Sequence, residues 1–174
     1  MSRAWQVVAL AFVMSGCGYA LAGKGGSLPD YIKRIGVPPF QNLSATPELD
    51  RLITEAVVVE FQKRGNYTVV AETTGVDAVL TGALQSVTPI ATAFTTGQQA
   101  SKYNVTVVAR AEFKETRDNK VTFSDTIRVT DEYDVVGGVA GGDLATVFTQ
   151  DRNALSRLAK AFATSLVQTI LEKF

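Results

Sequence analysis

Tyr103-Asn104-Val105-Thr106-Val107-Val108-Ala109-Arg110-Ala111-Glu112-Phe113-Lys114 is the stretch that decides the fold. Its odd-numbered residues are apolar or aromatic, and its even-numbered residues, Val108 excepted, are polar or charged. Successive side chains of a strand point to opposite faces, so this period of two predicts a strand with one dry and one wet face. Arg117-Asp118-Asn119-Lys120 is a turn signal, because Asp and Asn side chains bond nearby backbone and Asn tolerates a left-handed conformation. Val121 to Val129 returns as the antiparallel partner, with Val121, Phe123, Ile127 and Val129 on the core side. Asp125 falls in phase with them, which predicts an imperfect alternation or a bulge.

Upstream, Val76 to Val87 reads as another strand, with Gly82 at a bulge or kink. The segment Pro89 to Ser101 is rich in Thr, Ala, Gly and Gln, with Phe94 as its one large apolar side chain. It predicts a long hairpin tip or mobile loop. Tyr31 to Val37 reads as a first strand, ended by Pro38-Pro39, and Tyr67 to Ala71 as a short one. Thr46-Pro47-Glu48 predicts a helix start, with Thr46 as N-cap, Pro47 at the first helical position and an acid in the first turn. That helix runs to Arg64, with Gly65 as its C′ residue. Leu49, Leu52, Ile53, Ala56, Val57 and Phe61 recur at spacings of three and four and form its buried stripe. Asp131 to Phe148 carries the least pattern, and Gly137 to Gly142 reads as a loop. Thr149 caps a final helix to about Lys173, with Leu155, Leu158, Ala159, Phe162, Leu166 and Ile170 as its stripe.

This order predicts an α/β two-layer sandwich: a mainly antiparallel sheet of about four to five strands with both helices packed on one face. The other face, carrying Thr106, Arg110, Lys114, Thr122 and Arg128, is polar and open.

The N-terminus says where such a domain works. Arg3 precedes an apolar run from Ala4 to Met14, followed by Ser15, Gly16 and Cys17. The run is shorter than the roughly 20 apolar residues that cross a bilayer as a helix, and its layout is that of a secretory signal. A small-small-Cys ending predicts a bacterial lipoprotein signal over residues 1–16, with Cys17 acylated, palmitate included. The alternative is a cleaved signal or buried strand with an incidental Cys. Two or more lipid chains anchor stably where one binds weakly. Gly18 rather than Asp after Cys17 predicts sorting to the outer membrane, on its periplasmic side. Residues 17–30 form a lipidated end and a short tether rich in Gly, Ser and Pro, and 31–174 a single domain.

Composition excludes several classes of function. The chain has no His, one Cys, and 17 basic against 17 acidic residues. Without His, and with its sole Cys committed to lipid, it lacks most nucleophile–base pairs and the common zinc sets. No catalytic residues, metal or cofactor are predicted. No disulfide can form, and no basic block supports a nucleic-acid partner. Asp131 with Glu132, and Glu112 with Glu115, read as solvated charge. Gly137 to Gly142 lacks the Gly-Lys-Ser/Thr ending of a phosphate loop. Asn42, Asn66 and Asn104 match the glycosylation tripeptide, a pattern that arises often by chance.

Cys17-Gly18-Tyr19-Ala20-Leu21-Ala22-Gly23 resembles the mature start of the LPS-assembly lipoproteins of the LptE type. Ile35-Gly36-Val37-Pro38-Pro39-Phe40-Gln41-Asn42 is similar to that family's first strand and Phe-x-Asn loop. Pro47-Glu48-Leu49, Leu52 to Ala56, and Asp77-Ala78-Val79-Leu80-Thr81-Gly82 follow in the family's order. The resemblance implies a non-enzymatic outer-membrane lipoprotein that plugs the LPS-assembly β-barrel, helps it fold and contacts lipopolysaccharide. Such contacts pair cations with phosphates. Lys102, Arg110, Lys114, Lys120 and Arg128 are the candidates. The segment Asp77 to Gly82 also resembles periplasm-facing lipoproteins of the curli-secretion and peptidoglycan-synthase-activator types. Against these, the tether is short, reaching at most roughly 3.5 Å per residue, and Pro89 to Ser101 is too polar and irregular for a membrane-inserting hairpin.

Overall fold

Three long strands dominate the computed structural model, which describes residues 27–139 and 152–174. They are β4 (Ala78–Phe94), β5 (Ala100–Glu115) and β6 (Val121–Val139), paired antiparallel in sequence order. Three short strands line the far side of β4. β1 (Arg34–Gly36) runs parallel to it at Ala78 and Val79, and β3 (Thr68–Val70) runs parallel to β1. β2 (Gln41–Asn42) pairs parallel with Ala83 and Leu84. Among the described residues the sheet is open and six-stranded, in the order β3-β1-β4-β5-β6 with β2 also beside β4. It is the expected mainly antiparallel sheet, with the short parallel pairs adding strands.

Both helices among the described residues, α1 (Leu49–Arg64) and α2 (Arg152–Leu171), pack on one face as expected. The odd-numbered residues of β5 from Tyr103 to Phe113 are all buried beneath them. Phe113 ties the base together: Phe61 of α1 stacks on it with centroids 6.4 Å apart, and Phe174, just beyond α2, meets it edge-on at 6.2 Å. The stripes read from the spacing face this core, with Leu49, Ile53, Val57, Phe61, Phe162, Leu166 and Ile170 fully buried. Each such side chain contributes about 1.5–3 kcal/mol, so the four on α1 together far outweigh a typical N-cap at about 1 kcal/mol. Packing therefore holds α1, despite the β-branched run Val57-Val58-Val59 and the absence of a side-chain cap.

The start of α1 differs from expectation. Thr46 is buried and does not cap; the helix begins at Leu49 after Glu48, whose φ of 64° is left-handed. Asn42 explains this. Its Nδ2 donates to the Thr46 carbonyl at 2.9 Å and to Asp50 Oδ1 at 3.0 Å, while its Oδ1 accepts from the N–H and hydroxyl of Ser44. The loop is curled around this amide, which leaves Glu48 in a conformation L-residues otherwise avoid. Its amide is thus engaged, and the glycosylation tripeptide at Asn42 is a structural motif instead. At the other end Gly65 is extended, with φ −170°, not a left-handed C′ residue. Its lack of a side chain makes room for the Tyr67 ring, 2.6 Å from where a Cβ would sit.

Gly82 is not at a bulge either: pairing runs unbroken through Thr81, Gly82 and Ala83, and the first register shift lies between Leu84 and Ser86. The glycine is needed because the buried Phe40 ring covers it. Pro89 to Ser101 is mostly strand, with only residues 95–99 in the turn. Its weak β-propensity is overridden by pairing with β5, interrupted by register shifts after Ala91 and Ala93, and Pro89 is tolerated because β4 has no other neighbour there among the described residues. Gly137 and Gly138 likewise lie within β6 rather than in a loop; residues 140–142 and the Thr149 cap fall outside the described residues. Asp125 keeps its phase opposite Ala111, with no bulge, and is exposed on the edge strand. The first strand is shorter than read, starting at Arg34. Leu28 is buried and its N–H donates to the Tyr67 hydroxyl at 3.1 Å, so the chain is already packed three residues before Tyr31.

Candidate functional site: the open sheet face

Even-numbered residues of β5 from Lys102 to Lys114 point away from the helices, and none is fully buried. Their neighbours across the ladder complete a polar surface. Thr126 lies opposite Arg110, Arg128 opposite Val108, Thr130 opposite Thr106, and Asp134 opposite Lys102. Thr106 and Thr130 share a hydroxyl–hydroxyl hydrogen bond of 2.8 Å. Thr122 leaves this surface: a register shift between Phe113 and Lys114 accompanies its bond to Glu115 Oε1 at 2.8 Å, and Glu115 is in phase with the core.

The five cations predicted as candidates separate into distinct environments. Lys102 is held by Glu132 at 2.7 Å and Asp134 at 3.5 Å. The Glu132 hydrogen bond, followed by the charge of Asp134, raises its pKa above the ordinary lysine value. Its charge is already answered within the protein. Lys120 sits at the end of the β5–β6 turn, where its carbonyl accepts from Glu115 and its N–H donates to Asp118. Lys114 lies toward the base, opposite Val79. Arg110 and Arg128 are diagonal neighbours on adjacent strands, a relation that sets Cβ atoms about 7–8 Å apart. Neither makes an ion pair among the described residues, and both are exposed.

Each guanidinium is a planar fork of donors of the kind that can pair with phosphate or carboxylate oxygens. Thr126, Thr106 and Thr130 supply hydroxyls beside them. Sequence reasoning placed Arg110 and Arg128 on the open face but could not bring them together, since their adjacency depends on strand register. It also missed Glu132 and Asp134 as the partners of Lys102. Among the described residues no group of three or more potential metal ligands forms. No described helix is long and apolar enough to cross a membrane. Cys17 lies outside the described residues.

The model of the LptE family, described as lipopolysaccharide-assembly, matches residues 32–170. A comparison with curated proteins finds no match. Among solved structures, the chain is similar to the PelC dodecamer protein from Paraburkholderia phytofirmans, at 16% identity and a TM-score of 0.51, covering 82% of this chain and 92% of that one. It is similar to the hypothetical protein CT253 from Chlamydia trachomatis, at 8% identity and 0.54, covering 81% and 97%. Protein XCC0632 from Xanthomonas campestris gives 18% identity and 0.50, covering 81% and 84%. At such identities these likenesses speak for the fold alone.

Proposed function

Because this chain belongs to the LptE family of lipopolysaccharide-assembly lipoproteins, we propose that it partners the outer-membrane LPS-assembly β-barrel and contacts lipopolysaccharide through its open sheet face. The family is non-catalytic, and the absence of His from the chain supports a binding role here too. In this reading residues 1–16 are a signal, Cys17 carries the lipid, palmitate included, and the domain works on the periplasmic side of the outer membrane.

The observation that carries the lipopolysaccharide contact is the Arg110–Arg128 pair, two neighbouring cations with no carboxylate partner among the described residues. Lipopolysaccharide presents sugar-linked phosphates, which guanidiniums grip with two parallel hydrogen bonds. Lys114 extends the positive surface toward the base. Lys120 and Lys102 are weaker contributors, the latter because Glu132 and Asp134 already hold it.

The test is lipopolysaccharide binding by charge-reversal variants of the lipidated protein. Charge-assisted hydrogen bonds contribute about 1.5–3 kcal/mol each, so Arg110→Glu with Arg128→Glu should weaken binding by roughly a hundredfold or more, and Lys102→Glu far less. Equal affinity for all variants overturns the site. Detergent extracts test the partner: a cell-wall synthase recovered in place of the barrel overturns the reading.

A further inference from the structure

The open face is split lengthwise. Its β5 column carries Arg110, Glu112 and Lys114, and its β6 column Arg128, Glu132 and Asp134. Its β4 column carries no charge. Thr81, Ala83, Ser86, Thr88 and Ile90 stand opposite Glu112, Arg110, Val108, Thr106 and Asn104. The register shift between Leu84 and Ser86 keeps Ala83 and Ser86, three apart in sequence, on this same face. Ile90 is 59% exposed. Val108 is the one apolar side chain among the even-numbered residues of β5 from Lys102 to Lys114. A lone exposed apolar side chain needs no explanation, but these two stand in a fixed relation to the arginines. Val108 is directly opposite Arg128 and two residues from Arg110, between Ser86 and Arg128 across the ladders. Ile90 lies opposite Asn104, four residues further along β5, which is roughly 14 Å. Between them Thr106 and Thr130 bond each other through their hydroxyls at 2.8 Å, with Thr88 alongside. Toward the base the column instead meets Glu112, opposite Thr81. An uncharged lane therefore leads from the arginines in one direction only.

We propose that this lane receives an acyl chain of the same lipid whose phosphate pairs with Arg110 and Arg128, with Val108 and Ile90 as its apolar contacts, an assignment that rests on the lipopolysaccharide reading above. The ligand is then an acylated phosphate amphiphile, not a phosphosugar alone. Charge complementarity fixes one end of this occupant, because the two cations without a carboxylate partner among the described residues suit its phosphate. The apolar contacts fix the other end. Hydrocarbon brings no donors or acceptors that need partners, and its gain comes from leaving water against Val108 and Ile90. The roughly 14 Å between their rows lies within the length of a long acyl chain. A flat anionic bilayer laid on the same face would meet Glu112, Glu132 and Asp134 as well, charges of the same sign as its phosphates. A single lipid placed on the β4 side avoids Glu132 and Asp134.

The experiment measures how the full lipidated chain, in one detergent, binds lipopolysaccharide and the same lipopolysaccharide with its acyl chains removed. Val108→Thr with Ile90→Thr exchanges both apolar side chains for neutral β-branched ones, so charge and strand preference are kept. The parent should bind the acylated form at least about tenfold more tightly than the deacylated form. The double variant should lose about tenfold toward the acylated form and nothing toward the deacylated one, at an unchanged melting temperature. Equal affinity of the parent for both forms, an equal loss toward both forms, or no loss toward either would each overturn the acyl lane while leaving the phosphate site standing. If Arg110→Glu with Arg128→Glu leaves both forms bound as before, the phosphate site itself fails and the acyl lane with it.

Discussion

Gly82→Ala is the most informative single change in this fold. A Cβ at residue 82 would lie 2.1 Å, 2.4 Å and 2.6 Å from three ring carbons of Phe40. Carbon atoms rest at about 3.5–4.0 Å, so the ring would have to retreat by well over an ångström. It has little freedom to do so. Phe40 is 2% exposed, and its N–H donates at 3.0 Å to the hydroxyl of Thr54, which itself donates to the Asp50 carbonyl within α1. Replacing Gly with Ala also removes freedom from the unfolded chain, which alone would stabilise by about 0.4–1 kcal/mol. Overpacking a filled core costs about 1–3 kcal/mol, so the net effect is destabilising. For a domain of this size, about 2–4 °C accompanies each kcal/mol, and the melting temperature should fall by roughly 2–10 °C. Thermal and urea unfolding followed by circular dichroism measure this. Phe40→Leu shortens the group that the new methyl strikes, so the double variant should be less destabilised than the two singles added together. An unchanged melting temperature for Gly82→Ala, or strict additivity in the double variant, would refute the assignment of Gly82 to ring packing.

Asp77 accepts the N–H groups of Lys33 and Arg34 at 2.9 Å and 2.8 Å, and these bonds hold its carboxyl below the usual range. A depressed folded pKa contributes stability above the unfolded value of about 3.9 that is lost as pH falls through the folded value. Asp77→Asn should therefore lower the urea midpoint at neutral pH, with the gap to the parent closing in acid. A gap that stays constant with pH refutes it. The Tyr103 hydroxyl is buried with no partner among the described residues, and an unsatisfied buried donor costs about 1–3 kcal/mol. Tyr103→Phe should therefore unfold at the same or a higher urea concentration, and a clear loss of stability would refute the assignment. Asn42→Ala removes four hydrogen bonds from the loop before α1. At about 1 kcal/mol net for each, a loss of roughly 2–4 kcal/mol is expected in urea unfolding; a loss under about 1 kcal/mol would show the loop to be held by other contacts.

Alternation in Tyr103 to Lys114 and the stripes of both helices determine which residues are buried, because a period of two or of three and four leaves one assignment that hides the apolar side chains. The layer architecture and the polar open face follow from the sequence by that argument. Features that depend on contacts distant along the chain were decided only by the tertiary structure. Gly82 reads as a bulge or kink, whereas Phe40 packs against it; Thr46 reads as a cap, whereas Asn42 takes its carbonyl; and Pro89 to Ser101 reads as a long hairpin tip or a mobile loop, of which pairing with β5 leaves the hairpin. The candidate site divides the same way. Placing Arg110 and Arg128 on one face needs only parity, whereas their adjacency, and the neutralisation of Lys102 by Glu132 and Asp134, depends on the register between β5 and β6. Shifting that register by one residue would change every cross-strand neighbour, and it is set by packing across the whole sheet.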